Sequence, residues 1–173
     1  MAPRMAVLFE TGDLAVASPA TVSRVGIIYV EAGGIGWQPL LTSWLDMLPA
    51  PLTIHRAKLS SLFAQFVPPT LQFVAKECAS MIETGPAAVA KIARVRMLMD
   101  LVTGLTALQP ELSARMIDNV FLFSIVWALG GILDAPSRLR FDAFLRKLAR
   151  GESPPGYATA QSELAMPALE LTH

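Results

Sequence analysis

The stretch Ala15-Val-Ala-Ser-Pro-Ala-Thr-Val-Ser-Arg-Val-Gly-Ile-Ile-Tyr-Val30 constrains this chain more than any other, because it sets a fixed charge against a strand pattern. Ser18 followed by Pro19 is an N-cap and first-turn pair. The serine oxygen accepts from an early helical N–H, and proline's missing N–H is no loss at that position. A helix of about one or two turns is predicted over Ser18–Ser23, ending at Arg24. Val25 to Val30 is short, apolar and rich in β-branched residues, and Gly33-Gly34 close it. That is how a strand buried on both faces of a parallel sheet reads. Arg24 then stands at the rim of the sheet, a permanently charged fork aimed away from its own core. From there it can reach a neighbour's anionic ligand. It can equally cap helix carbonyls or pair with a carboxylate, the commoner fate of an arginine at such spacing.

Charge and apolar content narrow the partners. Fourteen basic and fourteen acidic side chains cancel among 173 residues, so net charge calls for neither nucleic acid nor an anionic membrane. The apolar share is 53% and the charged share only 16%, against ordinary usage of about 45–50% and 25%. Such a surface expects company: a membrane, or neighbouring protein that covers it. The longest apolar run, Val120–Leu133, is flanked by Asp118, Asn119 and Asp134 and broken by two glycines. It is shorter than the roughly 20 residues of a spanning helix. Met1-Ala-Pro-Arg4 does not read as a secretory leader. Cys78 is the single cysteine, so no internal disulfide and no cysteine-built zinc site is expected.

Along the chain, Met5–Phe9 reads as a second short strand, ended by Glu10 and a turn at Gly12-Asp13. Gly33-Gly-Ile-Gly36 invites a dinucleotide reading, but the third glycine of that fingerprint falls on Pro39. Trp37, Leu41, Trp44, Leu45 and Leu48 lie on one helical face that stops at Pro49 and Pro51. The two tryptophans suit a core; stacking on an adenine is the rarer use. Leu59, Leu62, Phe63 and Phe66 form a face bracketed by Pro49–Pro51 and Pro68-Pro69, and a subdomain boundary is placed near here. From Thr70 the pattern is helical throughout. Leu71, Val74, Ala75, Cys78, Met81 and Ile82 make one stripe, and Leu98, Leu101, Val102, Leu105 and Leu108 make another. Glu111–Leu133 turns apolar all round, as the central helix of a bundle does. Asp134 caps a last helix with Phe141, Phe144, Leu145 and Leu148 inward and Arg138, Arg140, Arg146, Lys147 and Arg150 outward. Those cations can meet phosphate or acidic protein, but a solvated helix face is the commoner account. After Arg150, Pro154-Pro155-Gly156 and a lack of periodicity predict disorder.

Catalysis by this chain alone is not expected. Phosphoryl transfer needs a loop of amides with a lysine, plus acidic residues for magnesium and water. The nearest string, Gly85-Pro-Ala-Ala-Val-Ala-Lys91-Ile92, has Ala90 and Ile92 where the second glycine and the magnesium-binding hydroxyl belong. Cys78 lies on an apolar stripe with no orienting group, so a Cys78–His55 pair is a poor nucleophile and base. His55 and His173 are too distant in sequence to suggest a metal site.

Ser18-Pro-Ala-Thr-Val-Ser-Arg24, then Gly26-Ile-Ile-Tyr29, Gly36-Trp37 and Pro39, resembles the later part of the second AAA+ module of the dynein heavy chain's motor ring. The similarity continues in order through Trp37–Pro49, Asn119-Val-Phe-Leu-Phe-Ser124, Trp127, Gly130-Gly131 and Ser137-Arg138, covering most of residues 4–150. Val25 stands where that family usually has Cys and Ile27 where it usually has Met. The resemblance implies an α/β remnant, the C-terminal strands of an AAA+ large subdomain, over residues 1–50. It implies a helical lid over 51–150 and a predominantly α chain overall, while residues 151–173, the tail predicted to be disordered, no longer follow the family's pattern. It implies that Arg24 is an arginine finger acting in trans on the preceding module's ATP. Glu10 falls at the first-sensor position and Arg138 at a second-sensor position. A carboxylate at Glu10, where an Asn or Thr is usual, implies a site that holds nucleotide rather than hydrolyses it; a solvated strand-closing Glu is the plain alternative.

The function so implied is part of an ATP-driven, minus-end-directed microtubule motor, in the cytoplasmic cytoskeleton and, by the Ser18-Pro19 form of the motif, a cilium or flagellum axoneme. ATP and magnesium would serve only in the full ring, with none for the isolated chain. Its partners would be neighbouring AAA+ modules, dynein complex subunits and, through other regions, microtubules, with no nucleic acid, membrane or metal. The phosphate loop is expected upstream, making the chain a fragment. The alternative is a non-enzymatic helical interaction module, or a truncated relic.

Overall fold

A computed structural model describes residues 8–29, 36–78, 87–109, 111–152 and 156–157. The chain divides into one compact unit up to Glu31 and a second from Ala32 onward.

In the first unit Ser18 is extended and its Oγ accepts from the Thr21 amide at 3.1 Å, starting α1 (Pro19–Val22) with proline in the first turn. The Ser18 and Thr21 hydroxyls also bond each other at 2.9 Å. Ser23 closes the turn, and the Arg24 amide still reaches the Thr21 carbonyl at 3.1 Å. The two expected strands are not formed at their described positions, 8–9 and 25–29. A strand exists through a ladder of partners, and among the described residues no strand is present to supply one. Leu8, Phe9, Ile28 and Tyr29 stand almost fully exposed. The described residues are helical, and the expected α/β remnant is not seen among them.

The second unit is a helical bundle. α2 (Gln38–Asp46) follows a turn that needs Gly36, whose φ is 68°. α3 (Ala50–Thr53) is a single turn with proline in its first turn. α4 (Arg56–Glu77) and α5 (Ala87–Ala107) are the long members. α6 (Ala114–Ile125) starts at Ser113, whose Oγ accepts from the Met116 amide, and widens into a π turn at Val126–Gly130. α7 (Ala135–Ala149) starts at Asp134, whose Oδ1 accepts from Ser137 at 2.9 Å. Its end is a Schellman closure: the Gly151 amide reaches the Leu148 carbonyl, the Glu152 amide reaches the Lys147 carbonyl, and Gly151 takes φ 77°.

Packing follows the apolar stripes. α5 lies against α6 and its π turn, while α4 packs on both α6 and α7. Leu59, Phe63, Phe66, Met99, Phe121 and Leu148 are among the fully buried side chains. Phe121 meets Phe63 edge-on at 5.2 Å and Phe66 at 5.7 Å, geometries that suit the ring quadrupole. Pro68-Pro69, expected to bracket a segment, instead lie inside α4. Burial decided this: Val67, Pro69 and Thr70 are enclosed by the core, which holds the helix through the break. α4 ends at its C-cap Cys78, and Met81 and Ile82, the rest of the expected stripe, lie outside the described residues.

Candidate functional site

Arg24 follows the C-cap of α1, so the Ser18–Pro19 start of the turn determines where its side chain emerges. It is exposed, and among the described residues its guanidinium makes no hydrogen bond or ion pair. The commoner fate of an arginine, a carboxylate or carbonyl partner, is thus not met within the described chain. Glu10 is likewise exposed in the same unit. Arg138 belongs to the second unit, on the first turn of α7, where its Nη2 donates to the Gly131 carbonyl at 3.3 Å. A planar, always-charged, unoccupied fork is suited to an anionic oxygen brought to it from outside.

The cations of α7 are divided in use. Arg146 grips Asp142 with Nε 3.0 and 2.8 Å from the two carboxylate oxygens, and Arg140 donates to Ser137 Oγ at 3.2 Å. Arg140 and Arg146 thus bond within α7 itself. Cys78 is buried, and that burial pushes its thiol above the ordinary range, opposed by a hydrogen bond with Ser137 and the charge of Arg140. A nucleophile needs the opposite shift. Among the described residues no group of three or more metal-ligating side chains occurs, and no helix is long and apolar enough to cross a membrane. A cavity of about 220 Å³ between α3 and α5, lined by Pro49, Leu52, Thr103, Thr106 and Leu112, carries no titratable group.

Two features escape sequence reasoning. Lys58 on α4 bonds Asp118 on α6 at 2.8 Å, with the Asp118 side chain only 9% exposed. Tyr157, inside the tail expected to be disordered, packs on Phe144 at 5.3 Å and Phe73 at 5.9 Å, donates to Glu77, and carries Lys76 Nζ 5.2 Å above its ring. Residues 153–155 and 158–173 of that tail lie outside the described residues. Neither pairing repeats at a sequence period, so only an isolated aromatic after Pro154-Pro155-Gly156 hinted at the second.

The first unit thus carries a capped turn ending in an exposed arginine, and the second is a compact bundle of amphipathic helices. Residues 59–167 match the family described as Dynein heavy chain AAA lid domain. The chain is 39% identical over 163 residues to Dynein axonemal heavy chain 3 of Mus musculus, covering 87% of this chain and 4% of that protein. It is 37% identical over 165 residues to Dynein axonemal heavy chain 12 of Rattus norvegicus, 88% of this chain and 5% of that one. Dynein axonemal heavy chain 2 of Mus musculus is 30% identical over 151 residues, 86% of this chain and 3% of that one. The chain belongs to the dynein heavy chain AAA lid domain family. It spans about a twentieth or less of the length of these curated relatives.

Proposed function

We propose that these residues are part of the motor ring of an axonemal dynein heavy chain and that Arg24 is an arginine finger, serving in trans the ATP of the preceding module. The observation that carries the reading is the unpartnered, exposed Arg24 guanidinium at the end of a side-chain-capped turn. It is joined to a lid with axonemal relatives. A free guanidinium fits a triphosphate oxygen, and no phosphate loop occurs in these 173 residues. Holding ATP and magnesium therefore falls to other parts of the heavy chain, where the nucleotide supplies the transferable γ-phosphoryl group. Arg24's part is to meet negative charge that grows on that group as it departs, a role worth roughly 10³–10⁵ in rate in comparable enzymes.

Glu10 and Arg138 extend the reading as first-sensor and second-sensor positions of this module's own nucleotide site. For Arg138 this requires breaking its bond to the Gly131 carbonyl. The partners of the reading are the adjoining modules, other dynein subunits and, through other regions, microtubules of a cilium or flagellum. Minus-end-directed movement would be the output of the whole motor.

The test is Arg24→Ala and Arg24→Lys in an intact heavy chain. ATPase turnover is expected to fall roughly 10³-fold or more in both, since a lysine cannot reproduce the planar fork. Thermal unfolding should not move, because Arg24 is exposed and contacts nothing that a truncation would unpair. Unchanged turnover would sink the assignment.

A further inference from the structure

We propose that this helical unit is articulated, with its two halves turning on Pro68-Pro69 in α4 and on Gly130-Gly131 at the end of the π turn. The proposal rests on the bundle alone and does not depend on the role of Arg24.

Proline has no N–H, so Pro68 and Pro69 deprive the carbonyls of Ala64 and Gln65 of their i+4 donors in the middle of a 22-residue helix. The break is not repaired by neighbouring side chains. Gln65 Nε2 and Thr70 Oγ1, on either side of it, are both buried and without a hydrogen-bond partner. Buried side-chain groups left without partners beside missing ladder donors mark a segment whose hydrogen bonding is weaker than that of the helix around it.

The two sides of the break are held by different elements. Before it, Lys58 bonds Asp118 of α6 at 2.8 Å, Phe63 and Phe66 meet Phe121 of α6, and Phe63 meets Trp44 of α2 at 5.4 Å. After it, Phe73 stacks on Phe144 of α7 at 4.2 Å with planes 19° apart, and Tyr157 packs on both rings. The ring and ion-pair contacts thus define one half built on α6 and another built on α7. The chain passes between those halves again at Gly130-Gly131. There the helix has widened to π hydrogen bonding, itself a feature that often marks functional sites. A Cβ on Gly130 would stand 2.9 Å from Phe141 Cε1 of α7, and one on Gly131 2.6 Å from the Trp127 carbonyl oxygen. Bare backbone at Gly130 lets Phe141 of α7 lie directly against the chain, and bare backbone at Gly131 lets it turn close over the Trp127 carbonyl. Packed cores respond to load by switching between discrete arrangements, and hinges sit at a few such positions.

The experiment is electron–electron distance measurement on the 173-residue chain labelled at two exposed sites, Arg115→Cys on α6 and Lys147→Cys on α7. Cys78 is buried and left in place. A pair within one half, Lys91→Cys on α5 with Arg115→Cys, is the control. The cross-half distribution is expected to be about twice as wide as the control or to show two peaks, and to collapse to one narrow peak in P68A/P69A. A cross-half distribution as narrow as the control overturns the articulation, and that trace decides even where P68A/P69A fails to fold. A wide distribution that P68A/P69A leaves unchanged removes the hinge from α4 and overturns it as well.

Discussion

At the scale of single residues, the informative side chains are those whose partners decide their worth. Lys58 and Asp118 form one ion pair with unequal ends: the Asp118 side chain is 9% exposed and the Lys58 side chain 32%. Removing the lysine strands a buried carboxylate, one oxygen of which already lacks a partner. Removing the aspartate leaves an ammonium that can swing to water. Lys58→Ala should therefore cost about 3 kcal/mol, and Asp118→Ala about 1 kcal/mol or less, measured by denaturant unfolding. Equal costs would mean that the pair is solvated. Cys78 gives a pH dependence. Burial, the leading cause, raises its folded-state pKa, so the folded chain holds the thiol proton more tightly than the unfolded chain. That contribution is complete below the thiol's unfolded pKa, near 8.5, and is lost as pH rises through the raised folded value. Stability should fall on the alkaline side, Cys78→Ala should flatten the fall, and alkylation of native Cys78 should be slow.

At the scale of elements, caps follow from local chemistry and breaks from packing. Ser18, Ser113 and Asp134 each accept from the amide three residues on, as their residue types and positions lead one to expect. The π turn is different. Gly130 and Gly131 are ordinary helix weakeners on propensity, and only their surroundings show the need for them. Gly131→Ala should cost about 1–3 kcal/mol, since its Cβ would meet a backbone oxygen that no rotamer change can move. Gly130→Ala should cost less, because Phe141, though buried, is a side chain and can shift. Chemical denaturation of the two variants checks the order.

At the scale of the whole molecule, the two units differ in what they bury. The buried apolar side chains lie between Leu45 and Ala149, within the second unit. In the first unit Leu8, Val16, Ile28 and Tyr29 are each at least 85% exposed. A chain beginning at residue 32 should thus keep the same cooperative unfolding midpoint as the full 173 residues, while binding less hydrophobic dye and self-associating less. Loss of the transition on truncation would show that the first unit stabilises the second.

Much was legible in one dimension. Amphipathic spacing placed the helices, the Ser18 and Asp134 caps located two of their starts, and the motif ending at Arg24, with the residues that follow it through Arg138, identified the family. At 8–9 and 25–29, the described parts of the expected strands, no strand forms, because β-branched composition states a preference whereas a strand requires a partner, which no local pattern supplies. Pro68-Pro69 was read as a boundary because helix-breaking is a local penalty, and burial of the surrounding residues outweighed it. Whether Arg24 is free, which carboxylate Lys58 meets and where Tyr157 rests are questions of distance between residues far apart in the chain. Periodicity determined which faces are apolar. Tertiary packing alone decided which of those faces met, because contact free energy depends on three-dimensional proximity and a sequence carries only order.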